Sequence, residues 1–337
     1  MSSKEDAQEA YDNWIKHEIY MRGQYSRINN EMQLFVEQMY EDIVSKITSG
    51  ELTEYSKNHY NNILQEINDL IDAQYVVISD ALEDSLTELA VYQSSYAASF
   101  AVSNELLKSI TTPTVLSDSF IRELIKDEYC DGLEFAEWIS REKSHVQKEV
   151  KKQIRLGVTS GESNSQIMKR VTGTKATGYM GSTQKKTKAN LETIVRTYAK
   201  HANTQATKET FKKNGLTQYI LSAVLDSRTT DTCKNLDGTV HTYGEKGEKH
   251  PPFHPNCRTT EMPYFEGVDL GETYPQWLAR QPAETQKEAL GAGKYKLYKQ
   301  GMPISKFVDN NYNVMTLEQL KLKEGINDNL IIESKAA

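Results

Sequence analysis

The chain is 337 residues long, with 38% hydrophobic and 26% charged residues and a formal net charge of −7. No apolar run approaches the ~18 residues that a membrane-spanning helix requires, so we expect no membrane segment. Only three cysteines are present, which excludes a disulfide framework and is typical of a protein made in a reducing cytoplasm.

The charges are distributed very unevenly along the chain. Residues 1–140 contain 9 basic and 26 acidic residues, a net charge of −17. Residues 141–213 contain 17 basic and 5 acidic residues, a net charge of +12. A basic block inside an acidic protein predicts a local electrostatic role that the overall charge conceals.

An acidic helical arm is predicted over residues 1–112. Apolar residues recur at alternating three and four spacing through residues 4–47, interrupted by Glu18, which predicts one long helix ending near Gly50. Two more helices are predicted over about 52–75 and 80–108. The apolar seam favours either self-association of the arm or packing onto its own neighbouring helices.

Residues 113–310 form the second predicted part. Apolar periodicity predicts helices from about 117, over 135–157 and over 166–171. Residues 172–190 are rich in Gly, Thr, Ser and Lys without an apolar period, which predicts a flexible basic loop before a helix to about 213.

Strands are predicted over residues 217–225 and 260–265, followed by a helix, a turn and a helix over 281–307. Residues 311–337 are a predicted C-terminal tail, partly disordered in its last 20 residues. The expected fold is mainly α with a small α+β domain: a long N-terminal helical arm, then helices packed on a short antiparallel sheet.

Potential metal ligands are concentrated in one loop of the second part. Cys233, His254 and Cys257 are the best three ligands for a structural zinc ion, and His241 or His250 would supply the fourth. The alternative is that both cysteines are simply small buried residues and that His254 bonds to a loop carbonyl.

The residues around these ligands predict a structural loop, and we assign no catalytic residue. Asp226 would accept backbone N–H groups or pair with Arg258. No second carboxylate lies at a spacing suited to acid–base catalysis. The same loop contains Arg228, Gly238 and Pro255.

Basic residues group on one face of the predicted helix over 135–157 and in the loop that follows. They suit contacts to the phosphates of duplex DNA without sequence readout. The alternatives are a solvated helix face or a patch that docks on the acidic arm of another copy. The residues are Lys148, Lys151, Lys152, Arg155, Lys185, Lys186 and Lys188.

The same loop carries a family resemblance. The matching residues are Asp226, Arg228 and Cys233, then Leu236-Asp237-Gly238, then the run from Pro251 to Arg258 with His254, Pro255 and Cys257. Together they resemble the Mu F-like head morphogenesis domain of tailed-phage minor head proteins. The resemblance covers roughly residues 115–308 and is specific within 226–258.

This resemblance implies a minor capsid protein that acts in head morphogenesis near the portal. Portal and capsid proteins, and packaged or ejected DNA, would be its partners. It would lie in the capsid interior of the virion after assembly in the host cytoplasm. Two other classes stay open: a non-specific DNA-binding protein delivered with the genome, and a metal-dependent hydrolase or nuclease.

Overall fold

A computed structural model shows a mainly α-helical chain with one small antiparallel sheet, as the sequence predicts. The structure describes residues 2–50, 57–103, 113–127, 132–174, 181–224, 228–264, 274–307 and 315–326. No described helix is long and apolar enough to cross a membrane.

Two long helices form the N-terminal part: α1 (Ser2–Ser49) and α2 (Lys57–Ser103). Helix α1 confirms the predicted long helix. The prediction of two helices over 52–75 and 80–108 is wrong, because α2 continues through residues 76–79. Tyr75, Ile78 and Leu82 are all buried at helical spacing, so the packed face of α2 is unbroken there.

Four helices follow: α3 (Asp118–Asp127), α4 (Phe135–Thr159), α5 (Asn164–Thr172) and α6 (Thr183–Lys213). The start of α6 corrects the predicted loop over 172–190, since residues 183–190 are helical. Ser182 caps the helix by accepting a hydrogen bond from the Lys185 backbone N–H. Residues 175–180 of that loop lie outside the described residues.

One apolar core joins the N-terminal helices to those of the second part. It contains buried side chains of α1, α2, α4 and α6, such as Ile28, Ile78, Val150 and Tyr198. Helices α1 and α2 both pack along α6. The described part of the N-terminal helical pair therefore buries its apolar seam within its own chain.

The sheet consists of β1 (Gln218–Ser222), β2 (Val240–Thr242) and β3 (Thr260–Pro263), in the order β2-β1-β3. Both pairings are antiparallel. Strands β1 and β3 confirm the predicted pair, whereas β2 was not predicted. A short helix, α7 (Asp231–Leu236), connects β1 to β2.

The C-terminal elements form an apolar cluster of their own. Helix α9 contains Gly291 at φ 73°, a left-handed conformation that interrupts the helix where the sequence predicts a turn. Helix α10 lies inside the predicted tail, and residues 327–337 lie outside the described residues. The elements are α8 (Tyr274–Ala279), α9 (Ala283–Lys299), a 3₁₀ helix (Ile304–Phe307) and α10 (Leu317–Glu324).

Candidate metal centre and basic cavity

The structure brings together three of the predicted metal ligands. The Cys233 Sγ atom lies 3.3 Å from His254 Nε2 and 3.8 Å from Cys257 Sγ. Potential ligand atoms of all three residues lie within 4.8 Å of one another. Cys233 comes from α7, and the other two residues come from the loop before β3. Within the described residues, no other His, Cys, Asp and Glu side chains form such a group.

These distances fit a zinc ion. Two thiolates bound tetrahedrally at the usual Zn–S distance of ~2.3 Å are separated by about 3.8 Å, which matches the Cys233–Cys257 separation. His254 Nδ1 lies 2.9 Å from the Pro255 carbonyl oxygen, to which it can donate. That bond favours the tautomer whose Nε2 lone pair faces the sulfurs. A fourth protein ligand is not found among the described residues.

The environment favours one ionised sulfur. The hydrogen bond with the Cys233 sulfur lowers the pKa of Cys257 well below its ordinary value, and His254 adds to this effect. The same bond, together with burial, raises the pKa of Cys233. Hydrogen bonding to Cys257 raises the pKa of His254. A thiolate next to an imidazole is a strong ligand pair for a soft cation.

His241 and His250 lie elsewhere, against Tyr219 of β1. His241 Nε2 contacts the Thr239 hydroxyl at 2.8 Å, and its Nδ1 lies 3.5 Å from Glu245. His250 Nδ1 contacts buried Glu261 at 2.7 Å. The structure therefore places neither histidine in the metal-ligand group, which corrects the choice of a fourth ligand.

The predicted structural-loop residues occupy several positions around the group. Gly238 has φ 75°, a conformation that favours glycine, and its N–H donates to Leu221 O. Pro255 and Arg228 are exposed, and Arg258 is half-buried. Asp226, including its predicted pairing with Arg258, lies outside the described residues.

Helix α1 reaches the loop from the other end of the chain, which sequence reasoning missed. Arg22 donates to the Arg258 carbonyl at 2.8 Å, and the Trp14 indole N–H donates to the Glu261 carbonyl at 3.0 Å. Glu18 forms a buried ion pair with Lys200 of α6 at 2.9 Å. The available signal was Glu18, the one polar residue in the apolar seam of α1.

A cavity of about 590 Å³ lies beside the metal-ligand group. Its wall contains Cys233, His254 and Cys257, and five basic side chains. No described residue of the wall is an aspartate or glutamate. The basic residues come from α1, α6 and the two loops that flank the group: Arg22, Arg196, Lys200, Arg228 and Arg258.

The predicted DNA-binding residues occupy the exposed faces of two helices. Lys148, Lys151, Lys152 and Arg155 are all exposed on α4. Of these four, Lys152 alone has an ion-pair partner among the described residues, Glu149 at 3.4 Å.

The three lysines expected in a flexible loop lie instead on the first turns of α6. Lys185 and Lys186 are exposed, whereas Lys188 pairs with Glu37 of α1. The acidic N-terminal part pairs with two further lysines of the basic block in the same molecule, Lys143 through Asp72 and Lys200 through Glu18.

Residues 148–262 match the family model described as Phage Mu protein F like protein. The match begins in α4 and ends in β3, so it contains the seven predicted DNA-binding residues and the whole metal-ligand group. The predicted resemblance to the Mu F-like family is confirmed over this segment. No curated protein and no solved structure gave a significant match to the chain.

Proposed function

We propose that this protein is a minor capsid protein of a tailed phage that acts in head morphogenesis near the portal and contacts packaged or ejected DNA. The observation that carries the proposal is the family match over residues 148–262. Portal and capsid proteins would be its partners, and the interior of the virion its location. The matched family is one of structural head proteins, so no catalytic role is proposed.

The exposed face of α4 supports contact with DNA. Lys148, Lys151 and Arg155 form no ion pair with the described residues, and they project from one side of a helix. Cations in this arrangement bind phosphates by releasing counterions, without reading sequence. Aromatic side chains that could stack on bases are absent from residues 148–155, so we expect backbone contacts alone.

The metal-ligand group supports a structural role for zinc in this fold. Zinc would be held by Cys233, His254 and Cys257, and would fix the end of α7 to the loop that precedes β3. The ion would supply a cross-link between segments whose described cysteines, Cys233 and Cys257, form no disulfide. The competing interpretation, two buried thiols beside a histidine that bonds a carbonyl, makes the same contacts without a metal.

Sedimentation of a lysate from producing cells tests the capsid role. The protein is followed by antibody across fractions of free protein, empty capsids and DNA-filled capsids. We expect a few copies in both capsid fractions. Recovery of the protein in the free fraction alone would refute the proposal.

Salt-dependent binding to a duplex tests the DNA contact. Replacing Lys148, Lys151, Lys152 and Arg155 by glutamine should weaken binding and reduce the slope of log K against log salt by about 3 to 4. The matched control replaces three lysines and one arginine that are exposed elsewhere, and it should change the slope little. Its residues are Lys16, Arg27, Lys287 and Lys299. Equal losses in both variants would refute the assignment to α4.

A further inference from the structure

One face of α2 combines exposed apolar and acidic side chains. Val76 and Val77 are 60% and 44% exposed, in the middle of a helix whose other face packs in the core. β-branched residues at exposed helix positions lower helix propensity, and in a lone chain they bury nothing in return. We call this face the acidic stripe. Its residues are all exposed and lie on one side of the helix: Asp69, Ala73, Val76, Val77 and Asp80.

The carboxylates at the two ends of the acidic stripe are not neutralised by the described part of the chain. Neither Asp69 nor Asp80 forms an ion pair there, although Asp69 accepts a hydrogen bond from Gln65 Nε2 at 2.7 Å. Asp72, on the flank of the same helix, does form an ion pair, with Lys143 of α4 at 2.7 Å. The acidic stripe therefore presents a small apolar surface between two carboxylates that attract a basic partner.

Helix α4 carries the complementary chemistry on its exposed face. Leu156 is 42% exposed. Lys148, Lys151 and Arg155 are exposed on the same side of the helix and form no ion pair with the described residues. We call these four residues the basic patch. Apolar contacts bordered by charges of opposite sign bury area and fix the register of two docked surfaces.

The acidic stripe and the basic patch lie on one face of the molecule. Gln147 donates to the Asn68 carbonyl at 3.3 Å, and Lys143 pairs with Asp72, so α4 runs antiparallel beside α2. Both helices also pack on α6, which places their exposed sides away from it. The acidic stripe follows Asn68 along α2 and the basic patch follows Gln147 along α4, so they lie at opposite ends of this face. A two-fold axis in the plane of the face, midway between them, places each on its complement in a second copy.

We infer that this face is a self-association surface, and that its partner is a second copy of the same chain. The acidic stripe of each copy contacts the basic patch of the other, and the exposed valines and leucine are buried between them. A copy docked in this way covers the lysines for which we propose DNA contact, so duplex DNA competes with it. The inference does not rest on the capsid role or on DNA binding, because the exposure and charge of the two helices carry it.

Sedimentation equilibrium of the full chain tests the inference. We expect a reversible equilibrium between monomer and dimer that shifts towards monomer as salt is raised. Asp69→Lys combined with Asp80→Lys should weaken dimerisation at least about 10-fold, and so should Lys148→Glu combined with Lys151→Glu. A parent protein that stays monomeric at about 0.1 mM in low salt overturns the inference.

A mixture of the two variants is the most discriminating arm of the experiment. The first variant carries two basic surfaces and the second carries two acidic ones, so each repels its own copies. Mixing them restores both contacts, since each basic surface then meets an acidic one. We expect a dimer that contains one chain of each kind, a result that misfolding of either variant cannot produce. A mixture that does not associate refutes the proposed pairing.

The matched control changes the net charge by the same amount outside the acidic stripe. It combines Glu9→Lys with Glu123→Lys, two exposed residues of α1 and α3. Dimerisation should change less than about twofold. Equal losses in the control and in the acidic-stripe variant would show that net charge alone acts, and would overturn the inference. Capsid sedimentation, and duplex binding measured at protein concentrations below the dimerisation constant, succeed or fail independently of these results.

Discussion

A buried carboxyl on α4 makes the stability of the protein depend on pH. Glu142 is 8% exposed, and it contacts the Asn190 side chain of α6 at 3.0 Å. Burial raises its pKa from 4.5 to about 7, although the Asn190 bond opposes the shift. The folded chain therefore holds a proton at pH values where the unfolded chain has released it.

The sign and size of this pH dependence follow from the linkage between proton binding and folding. Between pH 4.5 and 7 the folded state binds more protons at Glu142, so its contribution to stability falls as pH rises through this window. This rise in the pKa of Glu142 lowers the free energy of unfolding by about 3 kcal/mol once the pH is above 7. Glu142→Gln keeps the shape and removes the titration. It should stabilise the protein at pH 8 by up to about 3 kcal/mol, or roughly 4 °C in Tm.

Thermal or urea unfolding of both proteins from pH 4.5 to pH 8.5 measures the effect. The difference in unfolding free energy should grow across the window and then level off. Glu149→Gln, on the same helix but paired with Lys152, controls for the loss of a negative charge. A difference that is constant with pH, or a Glu142→Gln protein that is less stable at pH 8 than the parent, would refute the reasoning.

Three further predictions concern the metal, the buried ion pair and glycine. The purified protein should contain about one zinc per chain, and Cys257→Ser should lose it and lower Tm; metal-free parent protein would contradict this. Glu18→Gln leaves Lys200 buried without its partner and should cost about 3–5 kcal/mol of unfolding free energy, less when combined with Lys200→Met. Gly157→Ala places a Cβ 2.5 Å from Ile167 and should destabilise the fold by about 1–3 kcal/mol. The added Cβ of Gly23→Ala meets nothing within 4 Å, and this variant should stabilise the fold by up to about 1 kcal/mol. Denaturant midpoints that rank the two variants in the opposite order would contradict this account of the packing.

Apolar periodicity predicts elements well where the buried face is apolar. It predicts α1 nearly to its ends, but it misses the first turns of α6, because that helix starts by burying Thr183 and Thr187. Thr187 is satisfied by the Tyr40 hydroxyl of α1 at 2.8 Å, a partner that local sequence cannot indicate. The break predicted inside α2 coincides with a β-branched run at residues 76–78, and burial of Ile78 outweighs the low helix propensity of that run.

The candidate site is likewise only partly predictable from local sequence. Cysteine and histidine are scarce in this chain, and Cys233, His254 and Cys257 lie close together in its sequence. Those two facts are sufficient to predict that the three side chains form a group. They cannot identify Arg22, which lies outside the motif and meets its partner Arg258 across 236 residues. The boundaries of the two predicted domains stay predictions.

The contacts between α1 and the β3 region constrain how the chain can be made. Trp14 leaves the ribosome well before its hydrogen-bond partner Glu261, which is 247 residues further along the chain. At ordinary translation rates that partner follows roughly 10–50 s later. During this interval Trp14 lacks the sheet residues that pack near it, Ile220 and Met262, so this long-range contact forms late in folding.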